Sequence, residues 1–287
     1  MLNLTEPKKI SNWKELLNVF LEDFQTPNAN WMFRGQSFSG SEERERTFET
    51  SFERAAREFA VDAKERPPIE RRLVQEFRRK AHHYLQKPPD DDDVVEWWAL
   101  MQHHGAPTRL LDWTYSFFVA VFFAMEPDKK VREVWALRKD WCARNAIELF
   151  DEKGKELEKE LKTTGESVVR KQCYNHLFTR ASSQFFVYPV NPFRVNERLL
   201  IQQGVFLCPG GITRSFDENF HKVLTGEDRD KHFREFRIDV VPEERKRILA
   251  NLFRMNLTSA TLFPGLDGFA RSLRTRLADL QALTDNA

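Results

Sequence analysis

The chain has 287 residues, and its 45 lysines and arginines nearly cancel 44 aspartates and glutamates. That balance excludes a global basic field of the kind that gathers nucleic acid and leaves only local patches to consider. The length admits one large domain or a domain with an insertion. An aromatic content of 13% supplies an ample core. Three scattered cysteines (Cys142, Cys173 and Cys208) suit a reducing cytosol. With no apolar leader at Met1–Lys9 and no run long enough to span a bilayer, the expectation is a soluble, cytoplasmic protein with no membrane partner.

In chain order, Ser11 predicts an N-cap for an amphipathic helix carrying Trp13, Leu16, Leu17, Phe20 and Phe24 on one side. Thr26 to Asn30 reads as a turn, and Trp31 to Phe33 as a short strand delivering Arg34 at its end. An arginine there is either an ion pair at a strand edge or an anion clamp whose planar fork matches phosphate. Gly35 beside it lets a ligand approach the backbone. Phe48 to Arg66 is a charged helix ended by Pro67 and Pro68. Ile69 to Leu85 follows as a second helix with Leu73, Val74, Phe77, Ala81 and Tyr84 inside. Its other face carries Arg71, Arg72, Arg78, Arg79 and Lys80, either simply solvated or a track for an RNA or DNA backbone. Asp90 to Asp93 open the next helix, Val94 to Met101, where acidic side chains oppose the helix dipole; capping is favoured over a metal site.

The stretch Gln102 to Ser116 comes next. Gly105 and Pro107 mark an irregular lead-in. Thr108 to Asp112 reads as a buried strand, and Phe117 to Ala124 is apolar all round, as a helix buried on every side must be. Polar side chains at a strand end beside a buried helix are where sites are usually built. One of His103 and His104 faces such a site as a general base, or both are loop residues bonded to backbone. Asp112 accepts from Arg34, from Arg109 or from helix amides. Trp113 is core or a stacking surface.

Further on, Val131 to Leu137 alternates as a strand, and residues 141 to 165 read as a peripheral helical insertion. Cys173 and His176 have a spacing seen in zinc sites, but without a second pair nearby no metal is assigned. Phe185 to Val190, Val205 to Cys208 and Phe233 to Val241 are strand candidates. Pro242 to Met255 and Asp267 to Leu283 are helices joined through a turn at Leu262 to Gly265. Helices around separated short strands predict an α+β fold. The expected organisation is a single domain over 1–287. It has a helical lobe at 11–101 bearing the first core strand at 31–34, a core at 102–268 and a terminal helix at 269–287.

Trp31 to Gln36, Gln102 to Ser116, Ile201 to Phe206 and Thr261 to Gly268 together resemble the FRG domain family, named for its Phe-Arg-Gly triplet. The order of candidate groups also resembles the arginine-type ADP-ribosyltransferases. There an arginine ends the first strand, a Ser-Thr-Ser triplet precedes a Val-Ala-x-x-Phe-Ala helix, and a Glu-x-Glu enters a late strand. Thr114 with Val119 to Ala124 follows the second part closely.

The double resemblance implies a small mixed or antiparallel sheet core of ADP-ribosyltransferase type, with a helical N-terminal lobe and a helical C-terminus. It implies NAD as substrate and a macromolecular acceptor, RNA slightly ahead of protein. A toxin or anti-phage effector restrained by an inhibitory antitoxin partner is the implied setting. Carried onto this chain, the catalytic residues are Arg34, Thr114, Gln203 and His104. The NAD-binding residues are Arg34, Gly35, Gln36, Arg109, Asp112, Trp113, Thr114 and Gln202. The departure is that Gln202 and Gln203 are neutral where a glutamate is expected. Losing one preorganised electrostatic partner costs on the order of 10²–10³ in rate. Either Asp112 or Glu197 substitutes, or the enzyme is slow, or the domain only binds a nucleotide or partner. A metal nuclease built on Asp90 to Asp93 ranks last.

Overall fold

The computed structural model describes residues 7–25, 30–39, 48–179, 184–194, 196–225 and 228–284, with side chains as far as Arg276. β1 (Lys8–Ile10) leads to α1 (Trp13–Val19), which is capped by Asn12 rather than Ser11. The Asn12 side chain accepts from the Glu15 N–H at 3.0 Å, while Ser11 donates back to the Glu15 carboxylate. A π-helical turn, Phe20–Phe24, follows. The turn expected at Thr26 to Asn30 falls at residues 26–29 outside the described residues. β2 (Trp31–Phe38) is 8 residues long, so Arg34 sits within the strand and not at its end.

α2 (Ser51–Glu58) opens on a capping box of Thr50 and Glu53 and ends before Ala60, whose φ is 51°. α3 (Arg66–Ala81) starts on Pro67 and Pro68. These prolines begin a helix instead of ending one, because a first-turn residue has no intrahelical acceptor for the N–H that proline lacks. α4 (Val94–His103) is capped by Asp93, which accepts from the Glu96 N–H at 3.1 Å and pairs with Arg170 at 2.7 Å. Asp90 and Asp92 meet Lys171 at 3.1 and 3.0 Å. The acidic run therefore caps and crosslinks.

β3 (Leu111–Thr114) begins later than the apolar pattern predicts. Thr108 and Arg109 leave the strand path to bond Ser51 and Glu70. α5 (Phe117–Met125), capped by Ser116, and β4 (Val131–Arg138) follow. Three helices come next, α6 (Lys139–Glu148), α7 (Glu152–Thr164) and α8 (Ser167–Thr179). The remaining elements are β5 (Val187–Val190), α9 (Glu197–Ile201), β6 (Gly204–Pro209), α10 (Phe216–Leu224), α11 (Arg229–His232), β7 (Phe233–Ile238), α12 (Pro242–Arg254), α13 (Ser259–Leu262) and α14 (Leu266–Thr284).

The strands form one 7-stranded mixed sheet in the order β1-β7-β4-β2-β3-β6-β5. β1 and β7 run parallel and every other neighbouring pair is antiparallel. Period-two alternation divides β2 and β4 between the two faces. Trp31, Phe33, Val134 and Ala136 join the core built around α5, and Met32, Phe38, Trp135 and Leu137 join the other. The fold is thus mixed α and β, in keeping with α+β.

The segment at 141–165 is not peripheral. Trp141, Cys142, Ala146 and Leu157 are buried in the larger core with Cys173, Leu177 and Phe178 of α8. Burial pushes the Cys173 thiol up to about 12, and His176 Nε2 contacts the Asp151 carboxylate at 2.8 Å. Among the described residues no helix is long and apolar enough to cross a membrane.

Candidate functional site

β2 pairs with β4 along its whole length but shares a single register pair, Phe33 with Thr114, with β3. β3 stays paired with β6 from Leu111 to Thr114. The sheet therefore opens beside Arg34, and a cavity of about 300 Å³ lies there. Arg34, Asp112 and Thr114 line it from the sheet; Arg198, Gln202, Phe263 and Arg271 close it from behind.

Arg34 reaches across the gap. Its Nη1 donates to the Asp112 carbonyl at 2.7 Å and its Nη2 to Gln36 Oε1 at 3.2 Å. Among the described residues its Nε has no hydrogen-bond partner and no carboxylate accepts from the guanidinium. Burial pushes this guanidinium down to about 10, against the Asp112 carboxylate, which holds it up, and with Arg54, which lowers it further. A desolvated cation held by neutral acceptors in a cavity wall is a ready partner for an anion.

The Asp112 side chain is exposed, and its Oδ1 accepts from Gln102 Nε2 at 2.9 Å. The Thr108 hydroxyl donates to the Gln102 carbonyl oxygen, which fixes the amide with its N–H toward Asp112. Oδ2 of Asp112 has no hydrogen-bond partner among the described residues. Thr114 is buried, and its hydroxyl donates to the Gln202 carbonyl at 2.6 Å and accepts from the Ser116 N–H at 3.0 Å. Gln202 in turn donates to the Leu262 carbonyl at 2.8 Å. These bonds tie β3 to the start of β6 and to α13.

A family model for the FRG domain matches residues 29–133. The chain carries an FRG domain. No curated protein and no solved structure matches the chain. The FRG match contains Arg34, Gln102, Asp112 and Thr114 and stops before α9. The pieces at Ile201 to Phe206 and Thr261 to Gly268 lie beyond it, so the rear wall of the cavity comes from outside the matched FRG segment.

Several expected site residues lie elsewhere. Arg109 is 4% exposed, paired through Nε to Glu70 at 2.7 Å and through Nη1 to the carbonyls of Phe178, Pro209 and Gly210. It lines a different cavity, of about 440 Å³. Trp113 borders the same cavity as Arg34, but its ring alternates to the face opposite Thr114 and packs against Phe48 and Phe220, so it offers no stacking platform. Gln203 is a turn residue with φ of 48° and an exposed side chain, and its carbonyl accepts from the Tyr115 N–H at 2.8 Å. His104 is exposed at the C-terminus of α4 and lines an apolar cavity with Tyr84, Leu85 and Met101.

Gln36 holds Arg34 and is not in the cavity wall. Gly35 is in the wall, but what approaches it is protein. A Cβ there would stand 1.7 Å from the Ala120 carbonyl oxygen, so glycine is required for α5 to lie on β2. His103 feels the rear wall: burial, then His104, then Arg198 lower its proton affinity.

Sequence reasoning missed Arg198, Phe263 and Arg271. Arg198 has no hydrogen-bond or ion-pair partner among the described residues, and its guanidinium lies 4.6 Å over the Phe263 ring. Arg271 lies 5.0 Å over the same ring and forks onto Glu126 at 2.7 and 2.5 Å. One signal was present. Arg198 stands four residues before Gln202, the spacing that puts two side chains on one helix face.

Proposed function

We propose that the chain is an NAD-dependent ADP-ribosyltransferase acting on a macromolecular acceptor, with Arg34 and Asp112 at its centre. One observation carries this reading. A guanidinium that no carboxylate among the described residues bonds shares a cavity with an exposed carboxylate where β2, β3 and β6 meet. Those are the strands on which the ADP-ribosyltransferase resemblance expects the arginine, the hydroxyl and the late acceptor.

Cleaving the bond between nicotinamide and ribose sends its electron pair to nicotinamide and builds positive charge on the ribose. The pyrophosphate stays negative. Arg34 holds the anion by a charged hydrogen bond of roughly 1.5–3 kcal/mol. Asp112 stands in for the missing glutamate and stabilises the ribosyl cation. Gln102 aims it. The acceptor's nucleophile then bonds the ribose carbon and gives up its proton to His103, which burial keeps neutral. The exposed Arg71, Arg72 and Arg79 of α3 put RNA slightly ahead of protein as acceptor. Such an activity on host macromolecules is that of a toxin or anti-phage effector, restrained by an inhibitory partner.

Incubating the pure protein with NAD and measuring free nicotinamide tests the reading. Arg34→Ala is expected to abolish release with its circular dichroism unchanged, and Asp112→Asn to lower release on the order of 10²–10³. Wild-type rates in both variants would remove these residues from the mechanism.

A second reading is a non-catalytic nucleotide-binding module. It is favoured by Gln202, whose amide is committed to the Leu262 carbonyl where a charge is wanted, and by the fully engaged Thr114 hydroxyl. Binding of ADP-ribose with no nicotinamide release from NAD would select it.

A further inference from the structure

Arg271 and Glu126 neutralise one another at the back of the cavity through a two-pronged pair. That leaves Arg34 and Arg198 facing a single carboxylate, Asp112, whose Oδ1 is already bonded to Gln102. Among the described residues neither guanidinium donates to a carboxylate. The cavity thus carries two cationic forks that no carboxylate among the described residues bonds.

We infer that Arg198 is a second anion clamp, and that the ligand is held through a diphosphate with one phosphate on Arg34 and the other on Arg198. This deepens the nucleotide reading above and rests on the same cavity, though not on turnover.

Three features support it. First, Arg198 is preorganised. Stacking on Phe263 uses the face of the guanidinium and leaves its edge N–H groups free to donate. The platform is itself held, by Arg271 on the ring and by Phe123 edge-on with centroids 6.0 Å apart. The turn behind it is tight: a Cβ at Gly268 would stand 1.7 Å from the Phe263 carbonyl oxygen. An arginine fixed in this way loses less freedom when it takes a ligand.

Second, the Asp112 carboxylate supports the charge of both Arg34 and Arg198, so both lie within its electrostatic reach. A compact monoanion meets one fork, whereas two linked phosphates meet both and keep their charge on the arginines to either side of Asp112. Third, the cavity of about 300 Å³ is lined by Arg34, Arg198, Arg271 and Asp112, which suits a charged linkage better than a bulky apolar ligand.

Isothermal titration with ADP-ribose, AMP, inorganic pyrophosphate and orthophosphate tests this directly. ADP-ribose is expected to bind more tightly than AMP, and pyrophosphate more tightly than orthophosphate. Arg198→Ala is expected to weaken ADP-ribose about tenfold to a hundredfold and to change AMP by less than about twofold. Arg198→Lys should recover little, because an ammonium has neither the planar fork nor the stack. Phe263→Leu, which keeps Arg198 but removes its platform, should give a smaller loss in the same direction. Thermal melts confirm which variants are folded, and Arg198→Gln replaces any that is not.

Unchanged ADP-ribose affinity in folded Arg198→Ala overturns the inference. An equal loss for AMP overturns the diphosphate assignment. The two readings separate cleanly: Arg198-dependent ADP-ribose binding without NAD turnover retires the transferase and leaves the clamp, and turnover indifferent to Arg198 does the reverse.

Discussion

Arg109 is buried and Arg34 half-buried, and their proton affinities are shifted in opposite directions. Arg109 forks onto Glu70, donates to three main-chain carbonyls and lies 4.6 Å over the Trp98 ring. Burial works against its charge, but the Glu70 carboxylate outweighs it and holds the guanidinium above its ordinary range. Around Arg34 the acceptors are one carbonyl and one side-chain amide, so burial prevails and the group falls to about 10. Burial alone therefore marks neither a structural nor a binding arginine. What separates them is whether the protein supplies the counter-charge.

That comparison can be broken. Arg109→Ala strands the Glu70 carboxylate in the interior and is expected to cost about 3–5 kcal/mol in denaturant unfolding. If Arg109→Ala unfolds at the parent midpoint, the pair is not compensating anything. Arg34→Ala orphans no charge, and its stability change is expected to stay below about 1 kcal/mol while ligand binding collapses.

Smaller effects sharpen the picture. Gln102→Ala frees the Asp112 carboxylate without touching the ligand, and nicotinamide release is expected to fall about tenfold, in kcat more than in KM. A change confined to KM would make Gln102 a binding residue.

The smallest effect concerns a buried group of the opposite sign. Asp217 accepts from the Phe48 N–H at 3.0 Å, and burial, with Glu53 nearby, raises it from 3.8 to about 6. A raised carboxyl binds its proton more tightly in the native state. Its contribution to stability is complete below about pH 4 and is lost as the pH rises through about 6. Asp217→Asn keeps an acceptor for Phe48 and removes the charge, so it should stabilise the fold at pH 8 by about 1 kcal/mol, with the gap closing towards pH 4. An equal gain at both pH values would show that packing, not charge, is responsible.

The chain's own pattern determined a good deal. The short apolar run Trp31 to Phe33 and the alternation over Val131 to Leu137 marked two strands, and the unbroken apolar run from Phe117 to Ala124 marked a buried helix. The FRG motif placed Arg34, Asp112 and Thr114 in one neighbourhood. These signals are local, because strand and helix periods are set by sterics within a few residues. The phase of Trp113 was readable on the same ground, once Thr114 was assigned to the cavity side.

Tertiary structure alone decided the rest. Gly35 is glycine because Ala120, far along the chain, presses its carbonyl against it. Arg109 became structural because Glu70 on α3 and three carbonyls converge on it, and Arg198 gained its place because Phe263 lies beneath it. Whether a charge is neutralised, and whether a side chain is held still, depends on partners brought together only when the chain closes on itself, and no local period records them.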